Sequence, residues 1–115
     1  MIPVPSGSRV WLATGHTNMR KGFDGLAALV QKHLHHDPFS DQAFVFRGRA
    51  GRLIKVLWWD CHELCLFSKR LERCRFVWQV NAGAAAALTP AKLAMLLEGI
   101  DWRAPERTDR PRIAG

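Results

Sequence analysis

The segment Arg52-Leu-Ile-Lys-Val-Leu-Trp-Trp59 is the strongest β-forming stretch of the chain. It is rich in β-branched and aromatic residues, and Gly48-Arg49-Ala50-Gly51 stands in front of it as a turn. On the far side of that turn, Ala43 to Arg47 alternates Phe and Val. Two such runs joined by four turn residues fold back as an antiparallel hairpin, so a sheet is the frame around which the rest must arrange itself. Trp58 and Trp59 are adjacent in a strand and must point to opposite faces, so one belongs to a core and the other needs a cover or a ligand.

Leu64 to Arg70 and Arg75 to Val80 read as two further strands, and Arg9 to Ala13 as a first short one. After the polar turn Thr14 to Asn18, with Thr17 or Asn18 as N-cap, apolar residues at Phe23, Leu26, Ala27, Val30 and Leu34 have the spacing of a helix with one buried stripe, ended by Asp37-Pro38. Asn81 to Ala87 is an Ala/Gly stretch and reads as a linker. Thr89-Pro90 then forms an N-cap with Pro at the first helical position, followed by Leu93, Leu96, Leu97 and Ile100 on one face and Gly99 as the stop. The fold expected is a single α+β domain over 9–102. It comprises an antiparallel β-meander of four to five strands, an N-terminal β-α unit and a C-terminal helix, with helices on one face of the sheet. Residues 1–8 are expected to be a flexible N-terminus and 103–115 a disordered tail.

The 115 residues carry 17 Lys and Arg against 10 Asp and Glu, a formal charge of +7, while 48% hydrophobic content is ordinary for a folded domain. Large enzyme folds are excluded by length. The longest apolar runs are too short to span a membrane and nothing resembles a targeting segment, which points to the cytoplasm. The charge is not spread evenly: 47–75 hold eight basic residues against Asp60, Glu63 and Glu72. Clustered cations, twelve of the 17 being Arg, suit phosphate as a partner.

Two groups of residues are candidates for that contact. Arg20 and Lys21, beside Gly22 at a helix start, form a compact anion-binding corner. Arg47, Arg49 and Arg52 surround the first hairpin turn, and Lys69, Arg70, Arg73 and Arg75 surround a second; such ribbons enter a duplex groove or, with exposed aromatics, stack single-stranded bases. Solvated surface charge is the plainer reading of both groups.

Catalysis has little support. Asp24, Asp37, Asp41, Asp60 and Glu63 show no spacing diagnostic of a two-metal nuclease site, and there is no phosphate-cradling or nucleophile-elbow motif. Cys61, His62, Cys65 and Cys74 could in number bind zinc, but Cys-x3-Cys without a matched second pair is a weak signature, and His33, His35 and His36 lack the i, i+4 spacing. No metal or cofactor is expected, and the thiols read as free.

Six segments occur in one order: Met19-Arg-Lys-Gly-Phe-Asp-Gly-Leu26, Asp37-Pro-Phe-Ser40, Phe44-Val-Phe-Arg-Gly-Arg49, Lys55-Val-Leu-Trp-Trp-Asp60, Lys69-Arg-Leu-Glu-Arg73 with Arg75-Phe-Val-Trp78, and Leu93 to Asp101. Together they resemble the TnpB-type accessory protein of the IS66 family of bacterial insertion sequences, over about residues 9 to 103. This is not the RNA-guided nuclease of similar name. The resemblance implies a protein encoded beside a DDE-type transposase that assists transposition. The family supplies a process and no catalytic residues; taken with the basic clusters, it makes DNA, at element ends or target, and that transposase the expected partners. DNA binding through the basic hairpins is the first reading. A module that docks on the transposase through the helix 90–99 and exposed residues such as Trp102 is the alternative. Three positions depart from the family pattern: Cys61-His62-Glu63 replaces a Gly-containing turn, Cys74 stands where Gly is usual, and Gln79 where Pro is common. A turn that needs φ > 0 is strained by such a loss of Gly. Oligomeric state is left open by the sequence.

Overall fold

A computed structural model of the chain describes residue 4 and residues 7–79 and 83–103. The expected disordered tail therefore falls, apart from Arg103, outside the described residues, as does most of the expected flexible N-terminus. Five strands, β1 (Arg9–His16), β2 (Gln42–Arg47), β3 (Leu53–Trp59), β4 (Leu64–Arg70) and β5 (Ala85–Leu88), form one sheet in the order β4-β3-β2-β1-β5. Helix α1 (Phe23–Leu29) continues into a π-helical turn (Val30–Leu34), and α2 (Pro90–Leu97) follows β5. The domain is α+β, with both terminal helices in place.

The hairpin stands where the turn chemistry put it: β2 and β3 pair antiparallel from Ala43↔Trp58 to Arg47↔Ile54, and β3 and β4 from Leu53↔Arg70 to Trp59↔Leu64. The sheet is nevertheless mixed, because β1 runs parallel to β2. A helix between two strands brings the chain back to its starting end, so the second strand leaves in the same direction.

The alternation of side chains sends one set to each face. Val10, Leu12, Ala43, Val45, Ile54, Val56 and Trp58 meet Leu93, Leu96 and Leu97 of α2, with Phe76, Trp78 and Trp102. Ala13, Phe44, Phe46 and Leu57 meet Leu26, Ala27, Val30 and Leu34 on the other side. The helices thus cover opposite faces, not the same one, because the near-continuous apolar run of β2 has two faces to bury. Phe23 and Ile100 were expected on the buried stripes but are both 47% exposed, each lying just at or beyond the end of its helix. Trp58 is buried, and Trp59 is half-buried and meets Phe39 edge-to-face at 5.5 Å.

Two sequence expectations change. Residues 75–79 form no strand: Phe76 and Trp78 are buried and Val77 and Gln79 are not, but Phe76 N–H donates to Gly51 O (2.7 Å) and Trp78 Nε1–H to Ala13 O (2.8 Å). An alternating pattern reports an extended chain with one buried side; it does not specify a ladder. Conversely the Ala-rich stretch read as a linker contains β5, antiparallel to β1 from Val10↔Leu88 to Ala13↔Ala85. Alanine has low β-propensity, but the outer side of β1 has backbone groups to satisfy.

Candidate nucleic-acid interface

Strand direction decides where the charges go. Because β1 and β2 end together, and β3 begins and β4 ends beside them, three segments distant in sequence meet at one end of the sheet: 16–22, 47–55 and 69–75. They carry Arg20, Lys21, Arg47, Arg49, Arg52, Lys55, Lys69, Arg70, Arg73 and Arg75, with Glu72 as their only carboxylate. The loops at the opposite end, 35–41 and 60–64, carry Asp37, Asp41, Asp60 and Glu63 and no Lys or Arg, although Arg9 opens β1 there. The loops at the two ends of the sheet thus carry opposite net charge, while Asp24 in the first turn of α1 and Glu98 at the end of α2 stand beside the basic loops.

The turn 48–52 is the hub of that end. On one side Thr17 N–H donates to Arg47 O (2.7 Å), and Met19 lies so close to Gly48 that a Cβ there would sit 2.9 Å from its Cγ. Lys55 Nζ reaches from β3 to the carbonyls of Met19 (2.8 Å) and Lys21 (3.0 Å), anchoring the loop that carries Arg20 and Lys21. On the other side Leu71 N–H donates to Arg52 O (2.8 Å) and Phe76 N–H to Gly51 O (2.7 Å), which brings the 71–76 loop against the turn. Gly51 has φ +76°, and a Cβ there would touch the Arg75 side chain. Instead of two separate hairpins, the basic residues form one patch around one turn.

The nine residues marked in the sequence do not stand alike. Arg49, Arg52, Arg73 and Arg75 are exposed, as is Arg20, while Lys21 is half-buried. Arg70 is exposed and forms a weak ion pair with Glu72 (3.5 Å). Lys69 is turned inward, its Nζ donating to Leu97 O (2.6 Å) at the end of α2, where a cation also meets the negative pole of the helix. Arg47 is half-buried, its guanidinium 5.6 Å from the Trp78 ring centroid and its Nε buried without a partner. Lys55 is one of the eight basic residues of 47–75, and the alternation of β3 places it with Leu57 on the α1 face, beside the loop it anchors.

The anion corner at the helix start takes a different form. Neither Thr17 nor Asn18 caps α1: Gly22 is the N-cap and offers no side chain, and Asn18 Oδ1 accepts from Arg20 N–H (2.9 Å) in a turn before the helix. With seven residues in α1, any anion contact here rests on the side chains of Arg20 and Lys21.

At the acidic end Asp60 Oδ1 accepts from the N–H groups of Glu63 (2.7 Å) and His62 (3.0 Å). These bonds favour the ionised form and hold its pKa below the ordinary carboxylate value. Burial, with Asp60 nearby, pushes the Cys65 thiol up. Cys74 lies at the opposite end of β4 from Cys61 and Cys65, and among the described residues no three His, Cys, Asp or Glu gather as a metal site would require. Cys61 and Cys74 do occupy left-handed backbone, at φ +81° and +62°. Trp102, offered above as an exposed docking residue, is buried, with Nε1–H donating to Val77 O (2.6 Å). Among the described residues no helix is long and apolar enough to cross a membrane.

What fold and charge define is a small basic α+β domain with ten of its 17 Lys and Arg gathered at one end of a mixed sheet. Residues 8–107 match the family described as IS66 Orf2 like protein, and the chain belongs to that family, whose members are associated with a bacterial insertion sequence. Two proteins of Sinorhizobium fredii (strain NBRC 101917 / NGR234) are similar over nearly their whole length. "Uncharacterized protein y4hO" is 53% identical over 115 residues, covering all of both chains. "Uncharacterized protein y4jC" is 32% identical over 107 residues, covering 93% of this chain and 92% of that one. No solved structure gives a significant match.

Proposed function

We propose that this chain is a non-catalytic accessory protein of transposition that binds DNA through the basic end of its sheet. The observation that carries this is the convergence of ten Lys and Arg from three separate segments, with Glu72 as the only acid among them. Arg20, Arg49, Arg52, Arg70, Arg73 and Arg75 supply the phosphate contacts, with Lys21 and Arg47 at their margin. Lys55 and Lys69 are positioning residues that hold the loops. The DNA is that of the element's ends or its target, and the element's DDE-type transposase is the protein beside which it acts.

The test is binding of the purified protein to a labelled element-end duplex and a scrambled duplex, titrated from low to physiological salt. Four to six phosphate contacts give a slope of log K against log salt of about −3.6 to −5.4, and replacing both Arg73 and Arg75 by Ala reduces it by about 2. Preference for the element end identifies a recognition factor; equal binding identifies a sequence-independent clamp. Absence of binding at low salt refutes the reading and leaves docking on the transposase.

A further inference from the structure

The two edges of the sheet are protected unequally. β5 is four residues long, whereas β4 is seven, unbulged along its whole pairing with β3, and opens with the uncharged run Leu64-Cys-Leu-Phe67. Nothing among the described residues pairs with its outer side. Edge strands are normally blunted by shortness, charge, proline or a bulge, and this stretch has none of them before Lys69. The ladder also fixes which backbone groups are free. The bonds Leu71 N–H to Arg52 O and Asp60 N–H to Glu63 O make the odd-numbered residues the ones bonded to β3, so the N–H and C=O groups of Leu64, Leu66, Ser68 and Arg70 point outward.

The charges at the two ends of β4 say what fits there. Asp60 and Glu63 precede it, and Lys69, Arg70, Glu72 and Arg73 end or follow it, so one end is net negative and the other net positive. A parallel neighbour of the same sequence would set like charges side by side, while an antiparallel one sets each acidic end against a basic end. We infer that the protein self-associates as a two-fold dimer through antiparallel pairing of β4 with β4 of a second copy. With the dyad at Leu66, the outward backbone groups of Leu66 pair with those of its copy and Leu64 pairs with Ser68. Glu63 comes opposite position 69 on the α2 face, where the Lys69 ammonium is held by Leu97 O, and Leu66 meets its own copy on the α1 face. The contact is self-complementary, as a closed two-fold interface must be, and yields a continuous ten-stranded sheet. One pair of edge strands is a small contact, so the dimer is a reversible one that forms as concentration rises. Its two basic ends lie at opposite extremities. If they bind DNA as proposed above, the dimer joins two duplexes; the dimer itself does not depend on that reading.

Sedimentation equilibrium of the full chain without DNA, from low to high micromolar concentration, tests it. The expected result is a mass rising to twice that of the chain. Ser68→Pro removes an outward N–H from an exposed edge position without breaking a bond to β3, and weakens association at least tenfold. Ala87→Pro makes the matching change on the outer side of β5 and leaves association unchanged. Should Ser68→Pro fail to fold, amide exchange of the unaltered protein decides. The amides of Leu64, Leu66 and Ser68 gain protection with concentration, and those of Ala85 and Ala87 do not. A chain monomeric throughout, a dimer that survives Ser68→Pro or is lost with Ala87→Pro, or concentration-independent exchange along β4 overturns the inference. A failure to bind DNA does not.

Discussion

Replacing Cys61 and Cys74 by glycine should stabilise the protein, and the size of the gain follows from the backbone. Both residues sit in left-handed conformations, at φ +81° and +62°, where an L side chain costs about 1–2 kcal/mol. Glycine removes that strain but widens the unfolded ensemble, which takes back roughly 0.5–1 kcal/mol. Both thiols are exposed and free, so little packing is lost. The net gain is about 0.5–1 kcal/mol at each site. The two positions flank β4, a strand of about 23 Å, and are far enough apart to add, giving roughly 1–2 kcal/mol for the double variant. In a domain of this size each single change raises Tm by roughly 2–4 °C. Urea melts under reducing conditions measure it, with an unchanged m-value showing that stability and not compactness has moved. Cys61→Ala and Cys74→Ala are the controls: alanine has the same left-handed strain and should give no gain. If alanine stabilises as much as glycine, the thiols and not the dihedrals were responsible, and if glycine destabilises, the strain argument is wrong.

Lys55→Met should cost about 1–2 kcal/mol by removing the charged donor to the Met19 and Lys21 carbonyls, and should weaken DNA binding by freeing the Arg20 loop; parallel denaturation and binding titrations check it. Lys69→Met should lower stability by about 1 kcal/mol through the lost bond to Leu97 O, while reducing the salt slope of DNA binding less than Arg73→Ala does. Asp60 has its pKa lowered in the fold, so its contribution is complete above the ordinary carboxylate range and is lost as pH falls through the depressed value. Melts below about pH 4 should show this in the native chain, and Asp60→Asn, which keeps the accepting oxygen but cannot titrate, should flatten that part of the profile.

Much of the fold was legible because short-range chemistry set it. The Gly48–Gly51 turn, the alternation in β3 and the Thr89-Pro90 cap act over a few residues, and the hairpin, β4 and α2 stand where they point, with Thr89 Oγ1 accepting from Lys92 N–H at 3.1 Å. The strain at Cys61 and Cys74 was foreshadowed only through the resemblance, which sets a Gly-containing turn at 61–63 and a Gly at 74, where the backbone is left-handed.

What lay beyond reach was partnership. The alternation of 75–79 is equally that of a strand and of a chain crossing a sheet face, and only Gly51, Ala13 and Trp102 waiting at the right places make it the latter. The alanines of β5 become a strand because β1 leaves an open edge beside them, a condition set some seventy residues away. The charge shows the same division. Sequence alone determined that cations crowd into 47–75 and flank Gly22, because composition is local. Tertiary structure decided that they share one end, turned Lys55 and Lys69 inward and set Asp37, Asp41, Asp60 and Glu63 at the other. The reason is direction: the helical crossover makes β1 and β2 parallel, and the sense in which each strand runs fixes which loops become neighbours.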